Sequence, residues 1–351
     1  MTRRFRPVGF VDTPVGLDGQ VARLAGGLQF FSAYEVSEGD GRTLVPVAAI
    51  DAALRDEAEA AVVRALSAPR PPLALGARTV RLDQPQLVGI VNATPDSFSD
   101  GGAYPDAEAA AAAGFAMDAA GAALVDVGGE STRPGAAPVW EGDELARVLP
   151  LVERLARGGA AVSIDTRKAA VMEAALAAGA VVVNDVSGLH HDDRAIALLR
   201  DRDCPVVVMH SPDPAGGLHG TGAPYRDVAG EVYDWFAARL DRLAAEGIAR
   251  DRIILDPGIG FGKGVADNLA LLNRLALFHG LGRPLLVGAS RKRFIGALAG
   301  EIPAGARLPG SLAAALKAAE QGAQLIRVHD VAETGQALKL WRGLRDQAMA
   351  G

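Results

Sequence analysis

The amino-acid sequence predicts an α/β protein, a (β/α)8 barrel with a small N-terminal extension, and three observations carry the prediction. Beyond residue 85, eight apolar runs rich in β-branched residues recur, each too short for a helix. Between them lie Ala/Leu-rich segments with helical spacing, such as "EVYDWFAARLDRLAAEG" from Glu231 to Gly247. Every run finishes in polar or charged side chains, which a closed barrel would collect on one face. Near-continuous apolar strands suit a parallel sheet covered by helices, and eight strand–helix units within residues 85–351 fit a closed barrel. A doubly wound open sheet is the competing arrangement.

In order, the runs are "LVGIVN" ending at Asn92, "ALVDVGG" around Asp126, "AVSID" ending at Asp165 and "AVVVND" ending at Asn184 and Asp185. They continue with "PVVVMH" ending at His210, "RIILD" ending at Asp256, "PLLVGAS" ending at Ser290 and "QLIRVHD" through Arg327 and His329. Residues 1–84 do not follow this rhythm and form an extension whose role the sequence does not state. Within it, Val45 to Ala68 reads as one amphipathic helix, and "PPLALGARTVRL" as a short hairpin suited to covering the bottom of the barrel.

Composition excludes several classes of function. Apolar residues make up 49% and charged residues 22% of the 351, enough for a large core. A net charge of −6 argues against an electrostatically driven nucleic-acid partner. The single cysteine, Cys204, permits no intrachain disulfide and fits a reducing cytoplasm. No run reads as a membrane span or a signal peptide, because Asp12, Pro14 and Asp18 interrupt the N-terminal segment.

The chemistry concentrates at the strand ends. Asp165, Asn184 and Asp256 suit a flat heterocycle that presents adjacent N–H groups, since buried carboxylates are costly unless paired. "GGESTRPGA" bends after the second run, with Thr132 and Arg133 at its tip, and arginine's fork matches phosphate or carboxylate. "DPGIGFGKG" fails both the Walker and the GxGxxG patterns and reads as a loop able to close Phe261 over a ring. The last two runs bring Ser290, Arg291, Lys292, Arg327 and His329 to the positions where such barrels often hold phosphate. Only five lysines occur in the chain, which makes Lys263 and Lys292 in these loops notable. The six histidines lack helical metal-ligand spacing, whereas a hard cation bridging pyrophosphate oxygens and a side-chain oxygen such as that of Asn92 is compatible with the pattern.

"GIVNATPDSFSDGG", "GGESTRPGA", "SIDTRK", "VVNDVSG", "DPGIGFGK", "SRK" and "GSLAAA…IRVHD" follow one another in an order that resembles the dihydropteroate synthases, over roughly residues 74–351. The resemblance implies a cytoplasmic homodimeric transferase of folate biosynthesis, with a TIM-barrel fold and a sulfonamide-binding site. It would join 6-hydroxymethyl-7,8-dihydropterin pyrophosphate to 4-aminobenzoate and release pyrophosphate. Asp165, Asn184, Asp256 and Lys292 would surround the pterin, and Asn92 would contact Mg²⁺ on the pyrophosphate. Arg133, Arg327 and His329 would hold the anion, with Ser290 beside them. Thr132, Pro134, Phe261 and Lys292 would wall the aminobenzoate pocket, and the loop with Phe98 and Asp100 would fold over the reacting centre. Asp100, Arg133 and Lys292 are the residues it places nearest the chemistry. One departure is Arg293, where the family usually has a small serine after "SRK". Two rival readings are a methyltetrahydrofolate-dependent methyltransferase and a non-catalytic pterin-binding module.

Overall fold

The computed structural model describes residues 3–93, 105–132, 136–212 and 224–350. Eight parallel strands form the central sheet: β7 (Gln86–Asn92), β8 (Ala122–Gly128), β9 (Val162–Asp165), β10 (Val182–Asp185), β11 (Val206–Met209), β12 (Ile253–Asp256), β13 (Leu286–Val287) and β14 (Leu325–Val328). They pair in chain order from β7 to β12, and β14 lies between β7 and β13. A parallel bridge from Leu255 to Leu285 joins β12 to β13 and closes the ring. The barrel is therefore observed, and the open sheet is not.

Helices alternate with the strands: α3 (Pro105–Ala119), α4 (Glu141–Arg157), α5 (Ala169–Ala177), α6 (Arg194–Arg200), α7 (Val228–Ala245), α8 (Val265–Asn273), α9 (Arg293–Leu298), α10 (Leu308–Glu320) and α11 (Val331–Ala350). Outward-facing strand residues such as Val125, Val183 and Leu255 pack on helical Leu155, Met172 and Leu271, making the main core. Burial on both faces explains why the strands read as continuous apolar runs rather than alternating ones.

Inside the barrel, side chains alternate with period two along each strand. The lower layer is formed by Val88, Leu124, Val182, Val207, Ile254, Leu286 and Leu325, one from each of seven strands, and by Ala161 just before β9. The hairpin of β5 (Leu73–Leu75) and β6 (Arg78–Val80) plugs this end by packing Leu73, Leu75 and Val80 on that layer. The expected cover of the barrel bottom is thus present.

The rest of the extension is an antiparallel sheet in which β3 (Phe30–Glu38) pairs with β1 (Arg4–Val11), β2 (Ala22–Arg23) and β4 (Gly41–Pro46). Its apolar face, with Phe5, Leu24, Phe31 and Val36, packs on Val63 and Leu66 and on Ala276, which lies in the 3-10 helix Leu275–Leu281 of the barrel. Val45 to Ala68 is not one helix. Val45 and Pro46 finish β4, and two short helices, α1 (Ile50–Ala53) and α2 (Glu57–Ser67), are separated by extended backbone at Leu54. Asp56 makes the break by capping α2, its carboxylate accepting from the Glu59 amide at 2.9 Å.

Candidate active site

The same two-residue period places the polar side chains. Two positions beyond the apolar layer come Asp126 after Leu124, Asn184 after Val182, Asp256 after Ile254 and Arg327 after Leu325, all facing the lumen. Around the upper rim, Asn92 lies in register with Gly128, Gly128 with Asp165, and Asp165 with Asn184. Buried apolar packing below and solvent above fix the height at which these groups gather.

Arg327 is the hub. Its Nε donates to Asp126 Oδ2 at 2.6 Å and its Nη2 to Asp165 Oδ2 at 2.8 Å. Asn184 Nδ2 donates to the same Asp126 oxygen at 3.0 Å, while Asp126 Oδ1 is buried with no partner among the described residues. Burial acts to lower the Arg327 pKa, but Asp126 and Asp165 outweigh it and hold the guanidinium charged. Burial pushes Asp165 upward, against Arg327, with Asp126 adding to the rise. Arg327, expected to hold an anion, is thus engaged by two carboxylates. Asp126, which was not singled out as a site residue, organises both Arg327 and Asn184. The signal was present, since a carboxylate within an apolar strand must find a partner.

Asp256 sits across the lumen, buried, with Oδ1 accepting from the Gly258 amide at 2.8 Å. Burial raises its pKa, and Lys292 opposes the rise. Lys292 Nζ donates to the Ile259 carbonyl and lies 4.3 Å from the centroid of the Phe261 ring. Burial lowers Lys292 to about 8, with Asp256 resisting. Phe261 packs on Val186 and Met209 and gives this side of the mouth an apolar wall. The structure therefore brings Asp256, Phe261 and Lys292 together.

Ser290 and His329 also meet: Ser290 Oγ lies 3.0 Å from His329 Nδ1 and accepts from the His329 amide at 3.3 Å. Arg291 instead donates to Asp330, at 3.0 Å from Nε to Oδ2. Arg293 is exposed and makes no ion pair among the described residues. Thr132 is half-buried at the start of its loop. Asp100, Arg133 and Pro134, with Phe98, lie outside the described residues. Two further groups that sequence reasoning did not assign shape the loops. Glu130 accepts from the Val139 amide at 3.1 Å, from Arg167 at 3.0 and 3.1 Å and from Lys168 at 3.1 Å. Burial would raise Glu130, but Arg167, the Val139 amide and Lys168 hold it down at about 2. Lys263 is the other, folded beneath the Phe261 loop.

Asn92 ends β7 half-buried at the rim, where its side-chain amide offers one oxygen. Among the described residues no group of three or more His, Cys, Asp or Glu side chains is gathered for a metal ion. No described helix is long and apolar enough to cross a membrane.

The pterin binding enzyme family model matches residues 88–329. Dihydropteroate synthase of Neisseria meningitidis serogroup B is 45% identical over 273 residues, 76% of this chain and 94% of that protein. The Xanthomonas albilineans dihydropteroate synthase solved with 4-aminobenzoic acid superposes with a TM-score of 0.74 at 46% identity, over 79% of this chain and 98% of that one. The same enzyme with 7,8-dihydropteroate gives a TM-score of 0.71 at 43% identity, over 78% of this chain and 99% of that one. With the lumen layer in place and alignments spanning nearly the whole of these relatives, the chain belongs to the dihydropteroate synthase family of pterin-binding enzymes.

Proposed function

We propose that this protein joins 6-hydroxymethyl-7,8-dihydropterin pyrophosphate to 4-aminobenzoate, forming 7,8-dihydropteroate and pyrophosphate. The observation that carries the reading is the facing pair of polar groups in the barrel lumen, Asp126–Arg327–Asp165 with Asn184 on one side and Asp256–Lys292 on the other. Such a set accepts from the N–H edge of a pterin and keeps cations nearby for the leaving group. The Xanthomonas albilineans relative, solved both with 4-aminobenzoic acid and with 7,8-dihydropteroate, supports both halves of the reaction.

In this proposal the pterin ring lies in the lumen, with Asp256 and Asn184 on its hydrogen-bonding edge and the Lys292 ammonium beside it. The methylene carbon loses its C–O bond, and both electrons leave with pyrophosphate. A cation-like transition state is delocalised into the electron-rich dihydropterin and favoured by the nearby carboxylates. The aminobenzoate nitrogen, neutral at pH 7, supplies the pair for the new C–N bond and then sheds a proton to solvent. No strong general base is required, so the residues position and stabilise rather than abstract. Phe261 walls the aminobenzoate side and limits water that would otherwise capture the carbon. Arg133, Pro134 and Asp100 are proposed for the anion, the aminobenzoate pocket and the lid.

The donor set fits a Mg²⁺ ion that arrives with pyrophosphate, because Asn92 supplies one hard oxygen at the rim and the phosphate oxygens supply more. Bound there, the ion would neutralise leaving-group charge. A homodimer in the cytoplasm completes the proposal, and Leu340 and Leu344, one turn apart on α11 and 67% and 66% exposed, offer an apolar face. Sedimentation showing a monomer at micromolar concentration would remove the dimer.

The test is pyrophosphate release from the pterin pyrophosphate with Mg²⁺, with and without 4-aminobenzoate. Release that depends on 4-aminobenzoate and yields dihydropteroate is the expected result. Pterin binding without release would favour the non-catalytic module.

A further inference from the structure

The loop after β12, residues 257–264, holds Phe261 and folds around a cation of its own. Gly258, Gly260 and Gly262 have φ values of +67°, +83° and +56°, a region open to glycine at little cost. A Cβ at Gly258 would collide with the His210 carbonyl, and one at Gly260 would stand 2.7 Å from Lys292 Cδ. These turns bring the carbonyls of Gly258 and Phe261 to one point. Lys263 Nζ occupies it, at 3.0 Å from Gly258 O, 3.1 Å from Phe261 O and 3.0 Å from His210 Nδ1, with His210 O further away at 3.5 Å. Three short contacts match the three protons of an ammonium.

The support around this point is built from two helices. His210 is held edge-on to Trp235 of α7, with ring centroids 5.0 Å apart, and burial and then Lys263 lower it to about 2, leaving a neutral ring whose Nδ1 accepts. From α8, Asn268 Oδ1 accepts from the Gly260 amide at 2.6 Å, and its Nδ2 donates to Lys263 O and Gly264 O at 3.1 and 2.8 Å. Burial lowers the Lys263 pKa and Asp256 opposes the fall, while the three acceptors around Nζ favour the ammonium over the neutral amine.

We infer that Lys263 is a positioning residue, an internal ammonium that draws the Gly258 and Phe261 carbonyls together and so sets Phe261 against Lys292 on the aminobenzoate side of the site. Lys263 has no need to touch substrate. The kinetic consequence rests on the synthase reading; the consequence for loop order does not. Lys263 Nζ makes no hydrogen bond to Asp256, which the Gly258 amide holds, so the pterin side is expected to change less than the aminobenzoate side.

Two variants and two readouts test this. In Lys263→Met, hydrogen exchange at the amides of residues 259–264 should quicken by about tenfold or more while the barrel strands keep their protection. With 4-aminobenzoate, KM should rise on the order of tenfold with kcat and pterin affinity changed less than about threefold. In Lys263→Ala, added methylammonium should recover part of that loss, whereas tetramethylammonium, which has no N–H donor, should not. Unchanged loop exchange, an unchanged KM in Lys263→Met, exchange that quickens throughout the barrel, or equal effects of the two ammonium ions would each overturn the inference. If the wild-type protein forms no dihydropteroate, the functional reading fails, and the exchange result still decides the role of Lys263.

Discussion

Replacing Asp126 by asparagine isolates the charge that organises the lumen. Asp126 is 1% exposed, and its Oδ2 receives both Arg327 Nε at 2.6 Å and Asn184 Nδ2 at 3.0 Å. Asparagine keeps the volume, and its single oxygen can stand where Oδ2 receives both donors, but it carries no charge and sets its NH2 where Oδ1 has no partner among the described residues. Arg327 still has Asp165 at 2.8 Å, so the cost stops short of a stranded buried charge, roughly 3–5 kcal/mol. Weakening two charge-assisted bonds and burying an amide without an acceptor comes to about 2–3 kcal/mol. Spread over 351 residues at an unfolding entropy of about 2 cal/mol/K each, that lowers Tm by about 3–4 °C. Loosening Arg327 and Asn184 should lower kcat/KM for dihydropteroate formation by roughly a hundredfold. Scanning calorimetry and steady-state kinetics on the same preparation check both figures. A variant with unchanged Tm and kcat/KM within about threefold of wild type would refute the assignment of Asp126 as organiser.

Three other perturbations separate the parts of the site. Asp256→Asn keeps an acceptor for the Gly258 amide but removes the charge facing the pterin, so pterin affinity by calorimetry should fall about ten- to a hundredfold; unchanged affinity would take Asp256 out of the pocket. Lys292, lowered to about 8 by burial, loses its charge as pH rises, so kcat/KM should decline above about that pH. Lys292→Arg, slower overall, should lose that alkaline decline because a guanidinium does not titrate there; an identical profile in both proteins would assign the decline to another group. Arg293→Ala should leave KM for 4-aminobenzoate within about twofold, as expected of an exposed side chain without an ion pair among the described residues, whereas a tenfold rise would place its guanidinium on the substrate carboxylate.

What the sequence disclosed follows from where each signal is written. Strands buried on both faces must be apolar, so their polar ends stood out, and Asn92, Asp165, Asn184 and Asp256 were legible as strand-end residues. Their partners were not legible: that Arg327 would lie between Asp126 and Asp165 depends on barrel closure, which places residues 201 and 162 positions apart within hydrogen-bonding distance. Local signals in the extension were outweighed by helical periodicity. The Asp56-to-Glu59 spacing of an N-cap lay within the supposed single helix, and the alternation of Arg4, Phe5 and Arg6 marked an edge strand. What those arginines face was beyond sequence reading, yet it bears on function. Arg4 pairs with Asp234 of α7, beside Trp235, and Arg6 donates to the Asn273 carbonyl of α8 at 3.3 Å. Those are the two helices whose Trp235 and Asn268 support His210, Lys263 and the Phe261 loop. The extension therefore braces, from outside the barrel, the elements that shape one wall of the pocket, and its contribution is expected in the order of that loop rather than in any group it supplies to the chemistry.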